Sequence, residues 1–402
     1  MQSIHKNFLV RVIKNFEHSP FELVHITQAI GRVLATDVRA SITSPARDMA
    51  ATDGYAVSIT EDLHPPYHFK IVGESSARSP YNDKLKTGCA VKVYAGSPVP
   101  SGVYTIVEDD EVKIKEDRLN INHALMKDQN ICHKGIDFTV NDQVLNAGSL
   151  ISARDVGLAA YMHMQWLPVH KKPDIAIFSI GDELSMPGDD LSQEKSVSSS
   201  TISISAIIEA CGANCINLGV VPDNPAAIKK MMLAAKGCDL LVTTGGVSAS
   251  ASNLVKNLLD KTPKAIDTTL NLGGQTHVLF GKKNGTKILA LPGSPISSQI
   301  CAILFLRPVI HHMVNMQQKF YKKTCAILDR NLDVNDKKMD YIFGRLTECE
   351  DKSFRVIPAS SYDRLMMKSF AESDCLITVD GSNSTKDSMT TITRFVCSVV
   401  SG

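Results

Sequence analysis

At 402 residues, with 44% hydrophobic and 21% charged side chains, the chain is long enough for about two to four domains with sizeable cores. Its formal net charge of +1, with lysines and arginines scattered rather than striped, leaves no electrostatic footprint for nucleic acid or an acidic membrane surface. Ten cysteines form no CxxC pair, and several lie inside apolar runs such as "ICAILFL" and "DCLITV", which predicts reduced, buried thiols rather than disulfides or zinc ligands.

The opening "MQSIHKNFLVRVIKNF" has no continuous apolar core, and no run approaches the roughly 18 residues a membrane span needs. A cytoplasmic protein is expected. Ile4, Phe8, Leu9, Val12, Ile13 and Phe16 share one helical face, so an amphipathic helix is predicted over 3–16. A second short helix is predicted from Thr27, as N-cap, through "QAIGRVLA". From about residue 40 to 150, short alternating stretches such as "YHFKIVGE" and "CAVKVYAG", broken by Pro, Gly and Asp, predict a β-rich region.

After Pro173 the texture changes. "DIAIFSI", "CINLGVV", "CDLLVTT" and "TKILALP" are apolar strands, separated by helices at about 200–211, 225–236 (opened by Asn224-Pro225) and 252–260. Alternation of this kind predicts a parallel, doubly wound α/β sheet. "ISSQICAILFL" is predicted as a helix that stops before Pro308, and residues 325–400 return to strand texture, so a small C-terminal β domain is expected.

Ligands of such sheets sit beyond the carboxyl ends of the strands. Four loops fall there, carrying Asp182 and Glu183, Asp223, Gly245-Gly246, and Pro292-Gly293. Glycine-rich turns at helix N-termini suit phosphate, and neighbouring carboxylates suit Mg²⁺, which usually bridges one or two carboxylates to phosphate oxygens. Each loop singly also reads as turn chemistry or helix capping; four meeting on one rim favour a binding site.

"ATDGYAV" (51–57), "AGSPVPSG" (95–102), "SIGDEL" (179–184), "NLGVVPDNP" (217–225), "TTGGVS" (243–248) and "ALPGSPIS" (290–297), with an Asn130-to-Asp137 "NxxxxGxD", follow one another as in one known family. Over about residues 5–395 the chain resembles the MoeA family of molybdopterin molybdenumtransferases, to which the gephyrin E domain also belongs. The resemblance implies four parts: 1–40 with 140–171 as a linker and dimerisation domain, 41–139 as a β-rich lobe, 172–318 as a molybdopterin-binding α/β domain, and 319–402 as a β-barrel. It implies insertion of molybdate into an adenylylated pterin with release of AMP, in a Mg²⁺-dependent step. An elongated homodimer with a shared cleft is implied too, with a molybdopterin adenylyltransferase as a candidate partner. Carried over by motif, Asp53, Asp137, Glu183 and Asp223 are catalytic, with Glu183 and Asp223 also holding the metal. Thr244, Gly245, Gly246, Ser248, Pro292, Gly293, Ser294 and Pro295 bind the pterin.

Departures from the family pattern concentrate at charged positions. Ala251 and Asn253 stand where Glu and Asp are usual, and "GGQTH" (Gly273–His277) replaces a "KPGKP". Ala95, Cys132, Ser198–Ser200, Ser294, Phe343 and Asp363-Arg364 also depart. A backbone cradle depends on fold, whereas an oxyanion site depends on side chains, so pterin binding is expected to survive better than molybdate insertion. Two readings follow: a divergent enzyme, or a catalytically impaired homologue acting as a pterin-binding scaffold or regulator.

Overall fold

The computed structural model describes residues 3–60, 62–190, 195–247, 254–259, 265–317, 323–332, 336–360, 362–379 and 385–394; Ser248, Ala251 and Asn253 lie outside them. The chain forms two compact units: residues 37–146 with 154–167, and the remainder. Among the described residues no helix is long and apolar enough to cross a membrane.

Helix α1 (Ser3–Ile13) opens the chain as its periodicity predicts. The helix predicted from Thr27 is instead a single 3-10 turn, Ile26–Gln28, and its cap is His25, which accepts the Thr27 amide through Nδ1. Extension wins there because Val33 and Leu34 are taken into bridges with Leu150 and Val169.

The unit around residues 37–146 is built on six strands: β1 (Gly54–Val57), β2 (Tyr67–Ser75), β3 (Cys89–Val93), β4 (Thr105–Glu108), β5 (Lys113–Lys115) and β6 (Arg118–Ile121). They lie in the order β4-β1-β3-β2-β6-β5. The two-residue side-chain period divides its apolar residues between two cores. Val57, Ala90 and Val107 join one, with Tyr67, Phe69, Leu119 and Ile121; their neighbours Ala56, Val91 and Ile106 join the other. Helix α2 (Ala153–Tyr161) ends on Tyr161, whose hydroxyl accepts from Ser44 Oγ at 2.7 Å.

In the second unit the predicted alternation appears as β7 (Asp174–Ile180), α3 (Ser199–Ala210), β8 (Asn214–Val221), α4 (Pro225–Ala234), β9 (Leu240–Thr244), α5 (Leu254–Leu259), β10 (Ile266–Asn271), β11 (Gln275–Lys283), β12 (Thr286–Leu291), α6 (Pro295–Cys301) and α7 (Arg307–Met313). The sheet runs β8-β7-β9-β12-β11-β10. Its first four strands are parallel; β11 pairs antiparallel with both β12 and β10, so the wholly parallel expectation holds for only part of the sheet. The cause is local. Asn284 and Gly285, both at positive φ (49° and 85°), make a two-residue turn that sends β11 directly into β12 without a crossover helix.

Successive residues of β7 feed opposite faces. Ile175 and Ile177 pack with Phe8 and Val12 of α1, Phe16 just beyond it, and Ile204 and Ile208 of α3. Ala176, Phe178 and Ile180 pack with Ile228 and Met232 of α4 and Val255, Leu258 and Leu259 of α5. Each such fully buried side chain contributes roughly 1.5–3 kcal/mol, which fixes the strand ends relative to the helices. The helix predicted to stop before Pro308 continues to Met313. Residues Ala302–Leu306 widen to a π segment in which the Arg307 amide reaches back to Ala302 O, so the missing Pro308 N–H falls where the ladder changes register.

The C-terminal strands β13 (Lys323–Leu328), β14 (Tyr341–Glu348), β15 (Phe354–Pro358), β16 (Cys375–Thr378) and β17 (Met389–Arg394), with helix α8 (Met367–Ala371), form the expected small β domain, a closed barrel in the order β13-β15-β14-β16-β17. Ala326, Leu328, Ile342, Val356, Ile377 and Ile392 fill it.

Candidate functional site at the strand ends

The four parallel strands end at Ile180, Val221, Thr244 and Leu291, and hydrogen bonds tie the loops beyond them in pairs. Gly181 N donates to Val221 O at 3.1 Å, and Gly245 N to Leu291 O at 3.1 Å. Asp223 N donates to Asp182 Oδ1 at 3.2 Å. Helix α4 is capped by Asn224, whose Oδ1 accepts from Ala227 N at 2.8 Å with Pro225 following. That assignment leaves the Asp223 carboxylate outside the capping role.

Gly245 and Gly246 take φ of 87° and 68°, the left-handed region that side chains resist. A Cβ on Gly245 would stand 2.7 Å from Ile180 O, and one on Gly246 2.9 Å from Val255 Cγ2. Gly293 lies close by, its own ideal Cβ position 3.4 Å from Gly245 Cα. Both the turn and the close approach of three loops therefore require bare backbone.

Around these glycines a cavity of ≈ 310 Å³ opens, lined by Glu183, Asp223, Gly245, Gly246, Pro292, Gly293 and Ser294, seven of the residues singled out in the sequence. Gln275, Thr276, His277 and Ser297 complete the wall with Ile180 and Val247. The first three come from the antiparallel return and belong to the "GGQTH" stretch that stands where the family has "KPGKP". The Asn284-Gly285 pair carried the signal: a hairpin after β11 sets Gln275–His277 beside the end of β12.

Other predicted residues sit elsewhere. Thr244 is buried, its Oγ1 2.7 Å from Ser179 Oγ, to which Ser198 Oγ also donates at 3.1 Å. Ser298 Oγ donates to Ser200 Oγ at 3.2 Å, so the serine stretch forms a buried hydroxyl network. Pro295 lines a neighbouring cavity of ≈ 150 Å³ that shares Ser294 and Ser297 with the first. Its wall is mostly apolar, with Ile296, Tyr341 and Phe343, and carries Arg364. Arg364 is bound to the fully buried Asp336, which Arg330 also contacts at 3.1 Å. In the other unit, Asp53 Oδ1 accepts the Ala95 amide at 2.8 Å and so holds that turn. Asp137 is exposed, and its amide donates to Ser44 O at 3.2 Å.

The electrostatics of the main cavity are one-sided. Glu183 and Asp223 supply two carboxylates, and no lysine or arginine is among its described lining residues. His277 also lines it. Its Nδ1 lies 3.2 Å from Thr269 Oγ1, and its buried Nε2 has no hydrogen-bond partner among the described residues. Among the described residues no group of three His, Cys, Asp or Glu could cage a metal. Two carboxylates facing a common space nonetheless match the donor set of Mg²⁺, which takes its remaining ligands from water and phosphate.

Comparison with known proteins points one way. Residues 4–162 match the MoeA N-terminal region (domain I and II), and residues 176–312 match a probable molybdopterin binding domain. A molybdopterin molybdenumtransferase of Haemophilus influenzae is 26% identical over 376 residues, covering 91% of this chain and 92% of that one. Gephyrin of Dictyostelium discoideum is 27% identical over 344 residues, covering 74% of this chain and 47% of its own. In fold, the crystal structure of a molybdopterin biosynthesis moeA protein from Pyrococcus horikoshii aligns over 97% of this chain and 99% of that one, with a TM-score of 0.79 at 24% identity.

Proposed function

Since this chain belongs to the MoeA family of molybdopterin molybdenumtransferases, we propose that it acts in molybdenum cofactor biosynthesis, inserting molybdate into adenylylated molybdopterin with release of AMP. The observation that carries this reading is the single cavity shared by Glu183, Asp223, the Gly245-Gly246 turn and the Pro292–Ser294 loop.

In this reading the glycine turn receives the phosphate end of the pterin. The Gly245 amide is already donated to Leu291 O, so the donors offered to the ligand belong to the later amides of that turn. Glu183 and Asp223 would hold Mg²⁺, which when bound supplies positive charge against the phosphate oxygens of the adenylate. Ser294 and Ser297 offer hydroxyls and His277 an imidazole to an oxyanion there. Asp53 and Asp137 as further carboxylates of the reaction, a homodimer, an adenylyltransferase partner and a cytoplasmic setting belong to the same proposal.

Complementation tests it. In cells lacking their own molybdenumtransferase, the chain is expected to restore nitrate reductase activity, with a greater requirement for molybdate. Absence of rescue at both ordinary and raised molybdate, from folded protein, overturns the enzymatic reading. The cation-free described lining favours one alternative, a pterin-binding scaffold or regulator; calorimetry would then show adenylylated pterin bound without AMP release.

A further inference from the structure

The opposite end of the same sheet holds a larger cavity that the proposed reaction does not use. It opens where β7, β9 and β12 begin and β11 ends, with a volume of ≈ 520 Å³, in the range of small-molecule sites. Lys171, Lys172, Lys282 and Lys287 line it, with His18 and Phe16.

The arrangement of these cations is costly by itself. Lys282 and Lys287 are direct register partners across the antiparallel β11–β12 pair, where like charges repel. Among the described residues none of the four lysines forms an ion pair. The carboxylates on the lining are Glu17 and Asp239, and Asp239 Oδ2 is already accepting the Asp174 amide at 2.8 Å. Lys287 Nζ lies over the Phe16 ring, 4.6 Å from its centroid. Burial and then the charge of Lys282 pull the Lys287 pKa down, against the opposing pull of Asp239 and Glu17. His18 is likewise pushed down, by burial and by His312 and His170, which stand 4.9 and 6.3 Å away ring to ring. Four cations against two acids, with a facing pair left unneutralised, form a field that an anion relieves.

The cations come in two pairs from separate segments, Lys171-Lys172 at the entry to β7 and Lys282-Lys287 on the hairpin. We propose that this cavity binds a small anion carrying two or more phosphate groups, each engaged by one lysine pair. It is a second site, at the far end of the sheet from the pterin cavity. Inorganic pyrophosphate and an organic diphosphate share this chemistry.

Calorimetry on the full chain tests the proposal with pyrophosphate, ADP and orthophosphate as probes. Pyrophosphate is expected to bind more tightly than orthophosphate, with affinity falling as salt is raised. The exposed change Lys282→Gln, and the double change Lys171→Gln/Lys172→Gln, are each expected to weaken binding at least about tenfold. His277→Ala is expected to leave it unchanged. Tighter binding of ADP than of pyrophosphate assigns the organic source, and the reverse assigns the inorganic one; both support the site. No heat with pyrophosphate or ADP overturns the proposal. So does binding that survives both sets of lysine changes but is lost in His277→Ala, since the anion then sits at the strand carboxyl ends. Neither result depends on catalysis, so the test stands or falls apart from the proposed reaction.

Discussion

The two ends of the α/β sheet carry opposite charge. At the carboxyl ends, bare glycine turns meet two carboxylates, and no lysine or arginine is among the described residues of the wall. At the amino ends, four lysines with no ion pair among the described residues surround a larger space. The first end is shaped by bare backbone and shows carboxylates without lysine or arginine among its described residues; the second takes its charge from lysine side chains. Shape and charge of a binding site are thus separable in one domain, because a turn built on Gly245 needs no cation to fold.

The largest expected break of this contrast is at the acidic end. Glu183→Gln keeps the shape and removes a charge, and is expected to lower turnover on the order of 100-fold in an AMP-release assay while pterin binding persists. Gly245→Ala attacks the backbone instead. Its Cβ would meet Ile180 O at 2.7 Å at a φ of 87°, so a loss of about 2 kcal/mol is expected in denaturant unfolding, read as a lower midpoint with unchanged slope. Returning a cation sharpens the comparison from the other side. Thr276→Lys, on the cavity wall, is expected to raise molybdate affinity about tenfold by calorimetry and to lower the molybdate needed for rescue.

The smallest effect concerns α7, whose last residue, Met313, lines the lysine cavity. Burial, and then the neighbouring Arg307 charge, push the His311 pKa from its ordinary 6.5 down to about 3. The folded state holds this imidazole neutral, so its contribution is complete above pH 6.5 and is lost as pH falls from there toward 3. Between pH 6.5 and 5.5 the loss from this group is about 1 kcal/mol, and His311→Gln is expected to remove that part of the slope in unfolding curves.

Much of this was legible in the chain. Apolar runs of β-branched residues marked β7, β8, β9 and β12, and Asn224-Pro225 marked the start of α4, because each signal is local. The convergence of Glu183, Asp223, Gly245 and Pro292 followed from one topological rule, that parallel strands present their carboxyl ends together. What escaped depended on how segments meet. The antiparallel return escaped although β10, "IDTTLN", alternates in a way the continuous apolar run of β7 does not, and the Asn284-Gly285 turn was a second mark of it. Pro308 was read as a stop, yet the π segment before it absorbs the lost donor. Thr27 had the chemistry of a cap, but bridges from Val33 and Leu34 took the chain into extension.

One strand touches both ends. β11 begins with Gln275, Thr276 and His277 on the strand-end cavity and reaches Lys282 on the lysine cavity, a span of roughly 20 Å at the rise of an extended chain. Two ligands that bind at the ends of one strand, as proposed, obey thermodynamic reciprocity: whatever factor a polyphosphate imposes on oxyanion affinity, the oxyanion imposes on the polyphosphate. Titrating each ligand in the presence of the other would measure that single number twice.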